Sequence, residues 1–398
     1  MSKQMQDAYI VASTRTAVGK APRGAYKSSR PDTLLAHVLA SVLAQVPSID
    51  PKRVEDVIVG CAMPEYEQGM NVARIGLLLA GLPSSVAGMT INRFCSSGLN
   101  AVSIAADRIR TGEADIMIAA GTESMSMIPM LGRLAMNEAV FAKGENVGIA
   151  YGMGITAENV AAQWKVSRQD QDEFALASHR KALAAQAAGE FDTEISPITV
   201  HENLPDLRSD TIVTKSRDVV RDEGPRADTS AEGLAKLRPV FAAKGSVTAG
   251  NSSQMSDGAG ASILVSERVL KELNLVPLAR WVGFAVGGVP PEIMGVGPIA
   301  AIPKVLASTG LKQEQIDWIE LNEAFAAQAL AVVKELGIDP AKVNPLGGAI
   351  ALGHPLGATG AVRTATITHG LKRRKQKYGM VTMCVGTGMG AAGIFESL

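Results

Sequence analysis

The sequence predicts an α/β protein made of two similar halves with an insertion between their elements. Three observations predict it. Short apolar runs alternate with helix-like stretches at both ends of the chain. The two ends follow the same order of elements. The middle departs from that order, with a Met-rich start and a polar run rich in Asp, Arg and Ser. The 398 residues also exceed what one core usually serves, so two or three domains are expected.

Strand-like runs occupy residues 8–13, 57–61, 116–120, 318–321 and 380–385. Helical spacing marks residues 99–110 and 323–336. One unit starts at Asp56, passes a strand to Cys61, a helix, a turn at Cys95 and a second helix, and ends in a strand at Gly121. The other starts at Asp317, passes a strand to Asn322, a helix, a turn at His354 and a helix, and ends at Gly386. An acid precedes Cys61 and Asn322 by the same interval, which aligns Asp56 with Asp317. Between the units, residues 124–244 hold a long helical stretch, 157–189, with Ser167 and Asp170 as a capping-box start. This segment reads as a cover over a site built elsewhere. Residues 247–266 return to strand-like, Gly-rich character.

Composition narrows the function. The formal net charge is zero, which speaks against a nucleic-acid partner. Cys61, Cys95 and Cys384 are odd in number and widely spaced, so neither a disulfide framework nor a zinc site fits. A reducing compartment with one or two working thiols fits better. The polar start at residues 1–6 lacks a signal-peptide core, no apolar run is long enough to span a membrane, and the end is not Ser-Lys-Leu. A cytoplasmic location is expected.

Cys95 follows a strand or buried approach at 89–94 and precedes a helix. A helix N-terminus favours a thiolate, which is a strong nucleophile. His354 lies in Leu346 to Gly360, a stretch dense in glycine, and can accept a thiol proton or steady an oxyanion. His37, His179, His201 and His369 read as structural. Cys384 ends an apolar strand before Gly386-Thr387-Gly388-Met389-Gly390 and can act as acid or base. Gly388, Gly390 and Gly393 match a dinucleotide fingerprint, but too few residues follow for a crossover helix. Asn322 reads as an N-cap or as an amide holding a water or oxyanion. Arg226, Ser252 and Ser253 suit a phosphate or amide ligand. The basic run 372–377 reads as a solvated helix end.

Together these motifs resemble the thiolase family. The matching blocks are N-R-F-C-S-S-G-L-N at 92–100, M-G-I-T-A-E-N at 153–159, T-A-G-N-S-S at 248–253, N-E-A-F-A at 322–326, G-G-A-I-A-L-G-H-P-L-G-A-T-G at 347–360 and C-V-G-T-G-M-G at 384–390. They stand in the family's order across nearly the whole chain. The resemblance implies duplicated βαβαβαββ halves, layered α/β/α/β/α, with an inserted loop domain. It puts the first half at 1–123 and 246–274, the loop domain covering the coenzyme A site at 124–245, and the second half at 275–398. It implies Cys95 as the acylated nucleophile and His354 as its activator. His354 and a water held by Asn322 would form one oxyanion hole, and the amides of Cys95 and Gly386 another. Cys384 would move the second proton. Arg226, Ser253 and Ala249 would contact coenzyme A, which is a substrate, with no bound cofactor or metal.

Gly152 stands where acetoacetyl-CoA-specific biosynthetic thiolases carry a histidine, and residues 222–230 look like the degradative branch. The resemblance therefore points to a 3-ketoacyl-CoA thiolase of fatty-acid β-oxidation, an acyltransferase of lipid metabolism. An acetyl-CoA C-acetyltransferase is the alternative. A non-catalytic acyl-CoA or lipid-binding protein, or a ketoacyl synthase, fits the reactive groups less well. The family implies a homodimer or homotetramer, or a place in a β-oxidation multienzyme complex.

Overall fold

The computed structural model describes residues 5–130 and 135–398. The first half supplies β1 (Ala8–Arg15), β2 (Gly19–Lys20), α1 (Pro31–Ala44), β3 (Asp56–Gly60), α2 (Val72–Leu79), β4 (Ala87–Ile91), α3 (Ser97–Arg110) and β5 (Ile116–Ser124). A long excursion follows, with α4 (Met153–Trp164), α5 (Arg168–Ala187), β6 (Ile198–Asp206), β7 (Thr211–Val219) and α6 (Ala231–Ala235). The chain then returns through β8 (Ser256–Ser266) and α7 (Glu267–Glu272). The second half supplies β9 (Ala279–Gly288), α8 (Gly297–Thr309), β10 (Trp318–Leu321), α9 (Ala326–Leu336), α10 (Ala349–Leu352), α11 (Thr359–Arg374), β11 (Tyr378–Val385) and β12 (Met389–Glu396).

One sheet runs β10-β11-β12-β9-β1-β8-β5-β3-β4, with β2 paired to β8. Its two ends repeat one topology. In the first half β3 is parallel to β5, which is antiparallel to β8, which is antiparallel to β1. In the second, β10, β11, β12 and β9 repeat those relations. The halves join where β1 meets β9. Asp56 lies opposite Met117, and Trp318 lies opposite Gly379, at the same sequence separation. In the second half the place of β4 is held by one bridge, Ile319 to Val343. There Asn344 turns left-handed (φ 44°) and spends its side chain on Leu321 and Glu323, so the strand stops.

The repeat is real, but its register differs by one residue from the alignment of Asp56 with Asp317. Glu55 is the partner of Asp317. The Glu55 carboxylate accepts from the N–H groups of Asp115 and Ile116, as that of Asp317 does from Lys377 and Tyr378. Asp56 instead bonds Arg108 and its own neighbour Val57. A strand-entry carboxylate is useful only where two free N–H groups face it.

Helices α1 and α2 cover the outer face of the first half, and α8 that of the second. Helices α3 and α11 pack against the inner face of the sheet in both halves and touch each other. Their contact needs glycine: a Cβ on Gly360 would sit 2.0 Å from the Leu99 nitrogen, and one on Gly98 would sit 2.6 Å from that of Ala361. The helix N-termini, and the turns of Cys95 and His354 that feed them, are thereby brought together. Strands β5 and β8 are buried along their whole length, as strands covered on both faces should be.

Three elements differ from the sequence reading. The expected helix at 157–189 is two helices, broken at Lys165 in the left-handed region and restarted by the Ser167–Asp170 capping box. The polar middle contains a β6–β7 hairpin, largely exposed. Strand β4 is a half-exposed edge and not a buried approach.

Candidate active site

Cys95 sits in a single 3-10 turn, Phe94–Ser96, just ahead of α3. Phe94 takes φ 42°, so the chain doubles back sharply from β4. Asn92 and Ser97 fix that turn: Phe94 N–H donates to Asn92 Oδ1 at 2.7 Å, and Arg93 N–H donates to Ser97 Oγ at 2.8 Å. The Cys95 sulfur is buried against the backbone N–H groups of Gly386 and of Cys95 itself. Cys384, fully buried at the end of β11, lies close enough that charge on one sulfur disfavours charge on the other.

Burial opposes the thiolate that a helix N-terminus favours. Burial pushes the Cys95 thiol up to about 11, and the two backbone N–H groups only partly oppose it. Burial likewise raises Cys384, with the nearby Cys95 adding to the effect. A helix dipole acts within the first turn, and desolvation outweighs it here.

His354 follows α10 and is 4% exposed. Burial, then the charge of Arg363, lowers its pKa to about 3. The ring is therefore neutral, and a neutral imidazole can accept a proton. Nδ1 lies 2.6 Å from Thr359 Oγ1 and Nε2 lies 3.2 Å from Asn322 Nδ2. Its backbone N–H donates to Ser256 Oγ. In this structure Nε2 is thus bonded to Asn322 and not to Cys95.

Asn322 is not an N-cap. Helix α9 begins four residues later, with Phe325 before it. Residues 324–326 are held extended by residues 251–253: Ser253 N–H donates to the Ala324 carbonyl, and Ala326 N–H to that of Asn251. This delay frees the Asn322 amide to face His354, and its Oδ1 accepts no hydrogen bond from a described residue.

Two cavities flank these groups. One, of about 330 Å³, is lined by Cys95 and Gly386 together with Met63, Met130, Met136, Ile149, Tyr151, Met153 and Leu356. It is apolar and rich in methionine, which suits an alkyl chain. The other, of about 360 Å³, is lined by Lys20, His179, Arg226, Ala249, Ser252 and Gln254 among others. Its cations suit a phosphate-bearing ligand. Arg226 and Ala249 are there, and Ser252 lines the wall while Ser253 spends its N–H on Ala324. His179, read from sequence as structural, also lines it; its Nδ1 accepts the Arg226 N–H, and burial with the Arg226 charge lowers its pKa to about 4. The sequence reading also passed over Glu123, whose only signal was an acid at the end of an apolar run. No helix among the described residues is long and apolar enough to cross a membrane.

Comparison with known proteins adds the following. Residues 8–268 match the family model "Thiolase, N-terminal domain", and residues 275–397 match "Thiolase, C-terminal domain". The 3-ketoacyl-CoA thiolase of Bacillus subtilis (strain 168) is 48% identical, over 98% of this chain and 100% of that protein. The human peroxisomal 3-ketoacyl-CoA thiolase is 47% identical, over 98% of this chain and 91% of that one. The dimeric peroxisomal thiolase of Saccharomyces cerevisiae superposes with a TM-score of 0.88 at 45% identity, covering 99% and 98% of the two chains. The Bacillus anthracis acetyl-CoA acetyltransferase superposes with a TM-score of 0.90 at 42% identity, covering both chains fully.

Proposed function

Because this chain belongs to the thiolase family, we propose that it is a 3-ketoacyl-CoA thiolase, cleaving its substrate with free coenzyme A to give acetyl-CoA and a shortened acyl-CoA. The observation that carries the assignment is that Cys95 and Gly386 line an apolar cavity, with the Gly386 N–H on the Cys95 sulfur and the buried Cys384 thiol close behind.

The chemistry follows from those groups. Cys95 gives its proton to neutral His354, and the sulfur attacks the 3-keto carbon. The alkoxide that forms faces the N–H groups of Cys95 and Gly386. The bond between C2 and C3 then breaks, and its electrons pass to the thioester of the departing acetyl unit as an enolate. His354 and a water held by Asn322 face that oxygen, and the Cys384 thiol protonates C2. Acetyl-CoA leaves an acyl-Cys95 thioester. The thiol of a second coenzyme A gives its proton to the Cys384 thiolate and attacks the acyl carbon. Acyl-CoA departs, and Cys95 recovers its proton from His354. This is ping-pong covalent catalysis. Coenzyme A enters as substrate, with Arg226, Ala249 and Ser252, which line the second cavity, as its contacts. Incubation with labelled acetyl-CoA, followed by digestion, is expected to place the label on the Cys95 peptide. Label found only on other peptides would refute the assignment.

The acyl cavity favours the degradative reading over an acetoacetyl-CoA-specific one. Gly152 lies between the lining residues Tyr151 and Met153, and the space a side chain would fill there is open. Each methylene buried contributes about 0.8 kcal/mol, roughly fourfold in kcat/KM. A series of 3-ketoacyl-CoAs is expected to climb by about that factor per added carbon until the cavity is full. A flat or falling series beyond four carbons would favour the biosynthetic reading.

The free edge of β4 and the exposed Met70, Leu78, Leu79 and Met89 beside it support a homo-oligomer, since an apolar edge strand is ordinarily covered. Three buried, unpaired cysteines fit a reducing, cytoplasmic setting.

A further inference from the structure

Glu123 takes no part in the steps above, yet it is 1% exposed and adjoins them. It stands near the end of β5 on the face shared with Met117 and Ala119, which packs into the core formed with α3 and α11. Oε2 accepts the backbone N–H of Ala62 at 2.7 Å and that of Gly357 at 2.9 Å. Oε1 accepts from Gln68 Nε2 at 2.7 Å and from the Met63 N–H at 3.3 Å. Four donors occupy the acceptor positions of one carboxylate. Gln68 is itself held, donating to the Met63 carbonyl and accepting the Ser124 N–H.

The segments joined here are both parts of the site. Ala62, Met63 and Leu356 line the cavity that opens on Cys95. Gly357 comes next after Leu356, three residues beyond His354. At this seam the two backbones touch: a Cβ on Gly357 would lie 2.5 Å from the Ala62 nitrogen and 2.7 Å from the Cys61 Cα. Two backbone donors therefore meet in a buried place, and only a shared acceptor can satisfy both.

We propose that Glu123 is a positioning residue for acyl transfer: its carboxylate is the shared acceptor that fixes the cavity wall at Ala62 and Met63 against the turn that carries His354. This rests on the assignment of Cys95 and His354 made above. Burial raises the Glu123 pKa while its four donors oppose that. Glutamine keeps the shape but offers an N–H₂ to at least one donor. Aspartate keeps the acceptor but reaches less far.

The test is Glu123→Gln, with turnover normalised to the Cys95 that labelled acetyl-CoA can acylate. Displacements near 1 Å at a reacting group cost about 10²-fold. Accordingly, kcat is expected to fall by about 10²-fold, with the KM for coenzyme A little changed, since neither Glu123 nor any of its four donors lines its cavity. Glu123→Asp is expected to recover part of the loss. A Glu123→Gln protein with lowered melting temperature but full kcat per labelled site overturns the inference alone. A wild-type protein that takes no label overturns the thiolase assignment as well. Should Glu123→Gln not fold, Gln68→Met removes one donor and leaves the carboxylate; kcat is then expected to fall by about 10-fold, and an unchanged kcat overturns the inference.

Discussion

Replacing Cys95 with alanine is expected to lower thiolysis by about 10⁴-fold or more while the protein stays folded. The loss is large because the covalent intermediate has no other attachment point. The structural cost is small because only one atom leaves a side chain at the cavity wall. Cys95→Ser should be almost as inactive, since a buried hydroxyl is far harder to deprotonate than a thiol and an ester passes its acyl group to sulfur less readily. The free enzyme carries a second signature. With its thiol near 11, Cys95 should react with iodoacetamide faster at each step from about pH 8 to about pH 10. A plateau already reached near neutrality would mean a preformed thiolate and contradict the structure. Linkage has the same origin. A thiol raised above its unfolded value contributes stability present below about 9 and lost as the pH rises through about 11. Cys95→Ala should therefore lose less stability over that alkaline range than the parent, by denaturant midpoint.

How much of this was legible depends on what each residue's neighbours announce. Cys95 and His354 stand in, and Cys384 just before, turns of small residues where strands end or helices begin, and such turns are visible as composition. The duplication was visible as an order of elements, because order survives sequence divergence. Its register was not, because Glu55 and Asp56 are adjacent acids and only the N–H groups each meets tell them apart. Asn322 looked like a cap because strand and helix are close in sequence. What delays α9 is pairing with residues 251–253, far away in the chain. The desolvation of Cys95 was hidden for a related reason: a dipole can be read from a local pattern, whereas burial by the second half of the chain cannot. Glu123 was silent because its donors come from two segments far from it in the chain, 62–68 and 357.

His354→Ala is expected to reduce kcat by about 10³- to 10⁴-fold, in line with loss of a general base that also faces a developing oxyanion. The neutral ring is the ground for this. At a pKa of about 3, set by burial and then by Arg363, His354 stays unprotonated at every working pH. Turnover should then show no acidic limb from His354 down to about pH 5, and an inflection near 6.5 that vanishes in the variant would contradict the structure. If Nδ1–H donates to Thr359, then Nε2 is the acceptor, and Asn322 Nδ2 occupies it at rest. To take the Cys95 proton, Nε2 must be released by Asn322, whose amide can then hold a water at the enolate oxygen. Thr359→Val would leave Nδ1 without its partner and free the ring to adopt the other tautomer, so a drop in kcat of about 10-fold with little change in KM is expected. The same burial sets acid stability. A histidine depressed below its unfolded value of 6.5 contributes stability that is complete above about 6.5 and is lost as the pH falls through about 3. Unfolding midpoints between about pH 7 and pH 4 should consequently fall less steeply in His354→Ala than in the parent, which ties the base and the acid lability to one desolvated ring.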